Sequence, residues 1–139
     1  MLNCLVVGIG GFIGAVSRYL LGTAFGLLNL SFPVGTLLIN VIGAVIIGAF
    51  SGFSANHTGL HDGWRLFIQI GICGGFTTFS TFTLETFELF QNGRTAAGFI
   101  YITASVAICL LGVLLGGLLG RTLHHLPLFS FLKMTDGPR

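Results

Sequence analysis

Apolar residues fill four long stretches of this chain, and charged residues fall almost entirely between them. The charge-free stretches cover residues 2–17, 19–60, 66–84 and 95–120, and a turn that contains serine and proline divides the second of them. A helix needs about 20 mainly apolar residues to cross a bilayer. The pattern therefore predicts an all-α membrane protein with four transmembrane helices, at about residues 2–26, 33–53, 64–91 and 95–121.

The composition supports this interpretation. Charged residues make up 7% of the 139 residues and hydrophobic residues 53%, whereas soluble domains carry about 25% charged residues. No segment can house a nucleotide-binding fold, and no basic block indicates a nucleic-acid partner. We expect a single transmembrane domain over residues 1–127 and a polar C-terminal tail over 128–139. The first segment lacks the basic start and the cleavage site of a signal peptide, so we expect it to be retained.

Basic residues near the helix ends are divided evenly between the two sides of the membrane. Four spans put both termini and the loop at 54–64 on one side, called side one here, and the other two turns on side two. Arg65 and Arg121 lie on side one, and Arg94 and Arg18 lie nearer side two. Because membrane-proximal basic residues set orientation, this balance predicts a chain that could insert in both orientations.

Glycines spaced four residues apart let membrane helices approach closely. Five such pairs are Gly10/Gly14, Gly22/Gly26, Gly71/Gly75, Gly112/Gly116 and Gly116/Gly120. Such pairs can pack the helices of one subunit or form contacts between subunits. Four short helices do not easily enclose a polar pathway, so we predict an oligomer.

Polar and aromatic side chains from three of the helices fall in the same half of the bilayer and form what we call the polar stripe. Its members are Thr36, Asn40, Phe79, Phe82, Tyr101 and Ser105, and Arg18 of the first helix lies at a similar depth. Members three or four residues apart on one helix share a face. The stripe could therefore be continuous.

The polar stripe is chemically suited to an anion. Amides and hydroxyls offer hydrogens, and phenylalanine offers its electropositive ring edge. Cation and proton pathways usually place carboxylates, carbonyl rings or histidines in the membrane, whereas Glu85 and Glu88 come only near the end of the third helix. The alternative is that the hydroxyls bond to helix carbonyls, as we expect for Thr103 and Thr122, and that the phenylalanines face lipid or a neighbour.

A run of small and hydroxyl residues interrupts the third helix near its centre. Gly74 and Gly75 are followed by Thr77 and Thr78, a combination that permits an unwound segment. Freed carbonyls at this depth must be buried in protein or bind an ion, because lipid offers no partner. An unbroken helix with glycine at a close crossing is the alternative.

Cysteine and histidine give no sign of a metal or catalytic site. Cys4, Cys73 and Cys109 are far apart in apolar runs, so we expect small buried apolar residues rather than zinc ligands. His57 and His61 are four residues apart, but we predict a solvated loop there. No nucleophile, base and orienting group can be picked out together, so we expect no enzyme.

Three motifs resemble those of the CrcB/Fluc family of fluoride channels, and the resemblance covers nearly the whole chain. They are Gly10-Gly11-Phe12-Ile13-Gly14-Ala15 with Arg18-Tyr19, Pro33-Val34-Gly35-Thr36-Leu37 with Asn40 and Gly43, and Gly74-Gly75-Phe76-Thr77-Thr78-Phe79-Ser80-Thr81-Phe82. The resemblance implies a dual-topology antiparallel homodimer in the inner (plasma) membrane. It also implies two narrow pathways for passive fluoride export and a structural Na⁺ at the break in the third helix.

The resemblance also implies roles for individual residues. The backbone carbonyls of Gly74 and Thr77 from each subunit would bind Na⁺, and the ring edges of Phe79 and Phe82 would meet fluoride. Asn40 would supply an amide donor. The hydroxyls along the pathway would be those of Thr36, Ser80, Thr81, Tyr101 and Ser105, while Arg18 would attract anions at a vestibule or anchor the fold, and Glu85 would lie near the pore end.

Two other functions suit parts of the sequence. A small dual-topology drug or metabolite transporter would share the four helices and the balanced arginines, but proton-coupled exchange needs a carboxylate deep in a helix, and the first helix has none. A non-transporting membrane scaffold would use the glycines for assembly. The scaffold would leave the polar stripe without a purpose.

Overall fold

A computed structural model describes residues 1–28, 30–55 and 62–123 of the chain. The part it describes is helical, with four segments that are long and apolar enough to span a membrane, which confirms the predicted architecture. The spans are α1 (Leu2–Gly26), α2 (Val34–Ala55), a composite third span (Asp62–Gln91) and α6 (Thr95–Leu123). The predicted loop with His57 and His61 and the predicted tail at 128–139 lie outside the described residues.

The third span consists of four helical pieces. A short α3 (Asp62–Arg65) continues into a π-helix (Leu66–Cys73) and then α4 (Gly74–Phe76), and the remainder is α5 (Phe79–Gln91). A π-helix is wider than an α-helix, and such segments occur frequently at functional sites. The helical backbone stops at Phe76 and resumes at Phe79.

The turn between α5 and α6 depends on one glycine. Gly93 has φ +71°, a left-handed conformation that glycine adopts without steric cost. The N–H of Gly93 donates to the carbonyl of Phe90 at 3.1 Å, and that of Arg94 donates to Leu89 at 2.9 Å. These bonds satisfy carbonyls at the end of α5 and turn the chain sharply into α6.

Glycines bring the helices together within one chain. A methyl group on Gly10 of α1 would stand 3.0 Å from the Cα of Gly71, and one on Gly75 would stand 2.5 Å from the carbonyl oxygen of Gly11. The second close pair is α2 with α6, where a methyl group on Gly116 would overlap the backbone carbonyl of Val45. The glycines of four of the five pairs therefore pack helices of a single subunit.

The remaining pair and the cysteines behave differently from these crossings. A methyl group on Gly26 would meet nothing within 4 Å, and Gly22 makes only an ordinary contact with Ile39. Of the cysteines, Cys73 is buried as expected, but Cys4 is exposed near the start of α1. The expectation of a buried side chain was wrong for Cys4, because an apolar run does not reveal which positions face outward.

The core of the bundle centres on Tyr101. This side chain is fully buried, at 0% exposure, and it packs with Phe82 and Leu89 of α5 and with Phe32 before α2. Large apolar side chains elsewhere point outward, including Phe12 at 70% and Phe79 at 76% exposure. A surface of this kind requires lipid or another protein against it.

Candidate functional site

The site begins at the interruption of the third span. Thr77 has φ −77° and ψ 157°, and Thr78 has φ −144° and ψ 114°, so both residues are extended. Thr78 then caps α5, because its Oγ1 accepts a hydrogen bond from the N–H of Thr81 at 3.2 Å. A hydroxyl residue at this position is a favoured helix start, which gives the sequence a local reason to begin a new helix here.

Asn40 of α2 holds the interruption from one side. Its Nδ2 donates to the carbonyl of Thr78 at 3.1 Å, and its Oδ1 accepts from the N–H of Thr78 at 2.8 Å. These two bonds satisfy both backbone groups of an extended residue inside an apolar region, where unpaired groups would be costly. Asn40 is therefore a structural partner of the third span as well as a member of the polar stripe.

Arg18 of α1 holds the interruption from the other side. Its Nε donates to the carbonyl of Gly75 at 3.1 Å. In a continuous helix this carbonyl would accept from the N–H of Phe79, which lies beyond the extended residues. The contact joins α1 to the third span, and the two roles that the resemblance implies for Arg18 stay predictions.

The backbone carbonyls around the interruption fall into two groups. Those of Cys73, Gly75 and Thr78 accept hydrogen bonds, the first from the N–H and Oγ1 of Thr77 at 3.0 and 2.9 Å. The described residues donate none to the carbonyls of Gly74, Phe76 and Thr77. Within the described part of the chain, these three backbone oxygens have no hydrogen bond, in a place where lipid cannot supply one.

A cavity of about 390 Å³ lies beside the interruption, between α2, the third span and α6. Its lining includes six of the residues that the sequence singled out, namely Asn40, Gly74, Thr77, Phe79, Phe82 and Ser105. Much of the remaining wall is apolar, from residues such as Ile47 and Val106. The cavity therefore combines a few polar groups with an apolar wall, as binding sites for small ligands do.

Ser105 supplies an unpaired polar atom in this wall. Its side chain is 7% exposed, and its Oγ has no hydrogen-bond partner among the described residues. Elsewhere the alternative expected for hydroxyls applies, because Thr103 donates to the carbonyl of Phe99 at 2.9 Å and Thr122 to that of Leu119 at 2.8 Å. Ser105 differs from these residues, so its hydroxyl remains available to a ligand.

A second polar group lies around Glu85 of α5. Thr36 donates to one carboxylate oxygen and Tyr101 to the other, each at 2.7 Å. Thr36 and Glu85 line a separate cavity of about 300 Å³, formed with the end of α1 and the start of α2. The sequence places Glu85 near the end of the third helix, and the structure shows that its side chain reaches two members of the polar stripe.

Aromatic rings separate the two cavities. The ring of Phe82 lies 5.5 Å from that of Phe79 and 5.0 Å from that of Tyr101, between ring centroids. Phe79 and Phe82 line the larger cavity, and the hydroxyl of Tyr101 reaches Glu85 at the smaller one. The polar stripe is thus arranged in series, from the interruption past the rings to Glu85.

The remaining hydroxyls of the motif gather around Thr78, which the sequence placed in the interruption but not as a helix cap. The Oγ1 of Thr78 donates to that of Thr81 at 2.9 Å and lies 3.4 Å from the Oγ of Ser80. Its position just before a new helix after two glycines was the signal that could have identified it as a cap. Ser80 is exposed and Thr81 is half-buried, and neither lines the larger cavity.

Side-chain metal ligands are scarce in this region. Across residues 1–28, 30–55 and 62–123, no three His, Cys, Asp or Glu side chains come together as a metal site. Backbone carbonyls at the interruption could bind a cation there. Those of Gly74 and Thr77 are chemically suitable, since carbonyl oxygens are ligands for hard cations.

Known proteins resemble this chain over most of its length. The family described as CrcB-like protein, Camphor Resistance (CrcB), matches residues 5–117. A protein of Ruminiclostridium cellulolyticum named fluoride-specific ion channel FluC is 46% identical over 124 residues, which cover 88% of this chain and 95% of that protein. One of Nitrobacter hamburgensis, named fluoride-specific ion channel FluC 1, is 47% identical over 115 residues, 82% of this chain and 90% of that protein. A protein of Geobacter sulfurreducens, also named fluoride-specific ion channel FluC, is 42% identical over 124 residues, 88% of this chain and 100% of that protein.

Proposed function

This chain belongs to the CrcB family, and we propose on that premise that it is a fluoride-selective channel through which fluoride leaves the cell passively. Relatives named as ion channels agree with the expectation that the chain is no enzyme. Family membership and four spans are consistent with the expected multi-pass location in the inner membrane. The observation that carries the proposal is the unpaired, buried hydroxyl of Ser105 in a cavity that Phe79, Phe82 and Asn40 also line.

The chemistry of the cavity suits a small, strongly hydrated anion. Removing water from such an ion is prohibitive unless hydrogen-bond donors replace the water along the whole path. Ser105 has a free hydroxyl, and Asn40 retains one N–H after its bond to Thr78. The ring edges of Phe79 and Phe82 would add positive potential without adding a charge that traps the ion.

Glu85 gives the far end of the pathway a different character. Its carboxylate takes the hydroxyl hydrogens of Thr36 and Tyr101. An anion that passes Glu85 would compete with the carboxylate for these hydroxyl hydrogens. Thr36 and Tyr101 would take part by turning their hydroxyls from the carboxylate to the anion. Ser80 and Thr81 would contribute near the start of α5, where their hydroxyls already lie close to Thr78.

The functional unit would be an antiparallel homodimer with one copy in each orientation. The even division of basic residues between the two sides supports this arrangement. So does the 76% exposure of Phe79 in a single copy, because a residue of the pathway must be enclosed to act on an ion. The second copy would cover the open side of the larger cavity.

A structural Na⁺ would lie where the two interruptions meet. The free carbonyls of Gly74 and Thr77 fit this role, since both residues line the larger cavity and their oxygens receive no hydrogen bond from the described residues. When bound, the cation would raise the local potential for an anion and tie the two copies together. The chain itself supplies the shape and the anion donors.

Passive fluoride transport can be tested with purified protein in liposomes loaded with potassium fluoride. Valinomycin would set the membrane potential, and a protonophore would abolish any proton gradient. We expect rapid fluoride loss, detected with a fluoride electrode, in both the presence and absence of the protonophore. Efflux that requires a proton gradient would contradict a passive channel and favour a coupled transporter.

A further inference from the structure

The peptide group between Thr77 and Thr78 joins the proposed sodium site to Asn40. In a trans peptide the C=O and the N–H point in opposite directions, and the described residues contain no cis peptide bond. The N–H of Thr78 points at Oδ1 of Asn40 across 2.8 Å. The carbonyl of Thr77 therefore points away from Asn40.

The same hydrogen bond also frees the carbonyl of Gly74. In a continuous α-helix, the N–H of Thr78 would donate to the carbonyl four residues earlier, which belongs to Gly74. Asn40 competes with that bond by offering Oδ1 to the N–H. Both proposed sodium ligands thus depend on Asn40. Asn40 sets the direction of the Thr77 carbonyl, and it keeps the Gly74 carbonyl free of a helix hydrogen bond.

The second contact of Asn40 fixes the orientation of its amide. Nδ2 donates to the carbonyl of Thr78 at 3.1 Å. If the amide were flipped, its NH2 would face the N–H of Thr78 and its oxygen would face the carbonyl of Thr78, so neither hydrogen bond could form. The pair of bonds therefore holds Oδ1 on the N–H of Thr78. It also fixes the direction of the second N–H of Asn40, which remains free to donate to an anion.

We propose that Asn40 is a positioning residue for the sodium site, because it keeps the third span open at Thr77 and Thr78 so that the carbonyls of Gly74 and Thr77 are free. This inference rests on the proposed function. Without Asn40, the buried N–H of Thr78 donates to the carbonyl of Gly74. The carbonyls of Gly74 and Thr77 then point along the helix and no longer face the cation. One amide thereby links the cation site to the fluoride pathway.

The test is a sodium titration of thermal stability in detergent, with N-methyl-D-glucamine replacing sodium at constant ionic strength. We expect sodium to raise the melting temperature of the parent protein. In Asn40→Leu, the sodium concentration that gives half of this shift should rise at least about tenfold, because the carbonyls of Gly74 and Thr77 would no longer be free to bind the cation. Asn40→Ser, too short to bond both groups of Thr78, gives the same comparison if Asn40→Leu does not fold.

Asn92→Leu is the matched control, because it makes the same chemical change at an exposed position in the turn between α5 and α6. It should keep the sodium response of the parent. A lower melting temperature in Asn40→Leu with an unchanged half-maximal sodium concentration would overturn the inference, since Asn40 would then only stabilise the fold. A parent that does not respond to sodium would overturn both this inference and the sodium site, whereas fluoride efflux from the same preparation would still decide the channel function.

Discussion

At the scale of single residues, Asn40 has the most contacts that bear on function. It bonds both backbone groups of Thr78, lines the larger cavity and retains one donor. Asn40→Asp keeps an oxygen for the N–H of Thr78 but removes the amide donors and introduces a negative charge. At about 4 Å and an effective dielectric constant of about 20, two like charges repel by about 4 kcal/mol. We expect fluoride efflux from liposomes to fall at least about a hundredfold.

The control for this substitution is Asn92→Asp, which makes the same chemical change at an exposed position in the turn between α5 and α6. This control should conduct like the parent. Near-normal efflux through Asn40→Asp would remove Asn40 from the fluoride pathway.

Phe79 tests whether an aromatic ring edge is required. Phe79→Ile keeps an apolar side chain but loses the positive edge that would meet an anion. We expect conduction to fall more than about tenfold, the equivalent of about 1.4 kcal/mol, while chemical cross-linking still detects the dimer. Phe12→Ile, at an exposed position of α1 outside the larger cavity, should leave efflux unchanged. Full efflux through Phe79→Ile would show that the ring takes no part.

Polar groups are costly in a membrane and therefore rare, so the few polar residues within apolar runs could be predicted as site residues from the sequence. That logic selected Asn40, Ser105 and the glycine and threonine of the interruption, which the structure brings to one cavity. It did not foresee that Glu85 reaches Thr36 and Tyr101. Position along a helix gives the depth of a residue, but the direction of a long side chain depends on how neighbouring helices pack.

At the scale of the helices, close contact between α2 and α6 is the feature most open to a stability test. A methyl group on Gly116 would overlap the carbonyl of Val45, so Gly116→Ala must push the helices apart. Overpacking of this kind typically costs about 1–3 kcal/mol. We expect a clearly lower melting temperature in detergent for this variant.

Gly8→Ala is its counterpart in α1, where an added methyl group meets nothing within 4 Å. This variant should melt at or slightly above the temperature of the parent, because alanine favours a helix over glycine. Equal melting of Gly116→Ala and the parent would mean that α2 and α6 are not in the close contact described here.

The helices were the easiest elements to predict, because long apolar runs between charges admit little else. The observed helix ends differ only slightly from the predicted ones. For example, α2 continues to Ala55 and the third span begins at Asp62. The π-helix at Leu66–Cys73 had no counterpart in the prediction. In a run where nearly every residue is apolar, hydrophobic periodicity cannot separate 3.6 residues per turn from a wider winding.

At the scale of the whole molecule, the proposal requires copies in both orientations. A single cysteine at Asn92, in a protein with Cys4, Cys73 and Cys109 replaced by alanine, would report which side the turn faces. In cells we expect an impermeant thiol reagent to label about half of the chains from outside, because the basic residues give no preferred orientation. The remainder should be labelled only after the membrane is opened. Labelling of nearly all or nearly none of the chains from outside would contradict a dual-topology dimer.

A fluoride-selective pathway passes fluoride and rejects larger anions, so fluoride efflux and chloride efflux should be compared in the same preparation. Liposomes containing the purified protein would be loaded with either potassium salt, and valinomycin would start the efflux. We predict rapid loss of fluoride with chloride retained, because closely placed donors and aromatic ring edges would replace the water of a small anion better than that of a larger one once a second copy encloses the pathway. Equal loss of both anions, or no fluoride loss from folded and reconstituted protein, would contradict a selective fluoride channel.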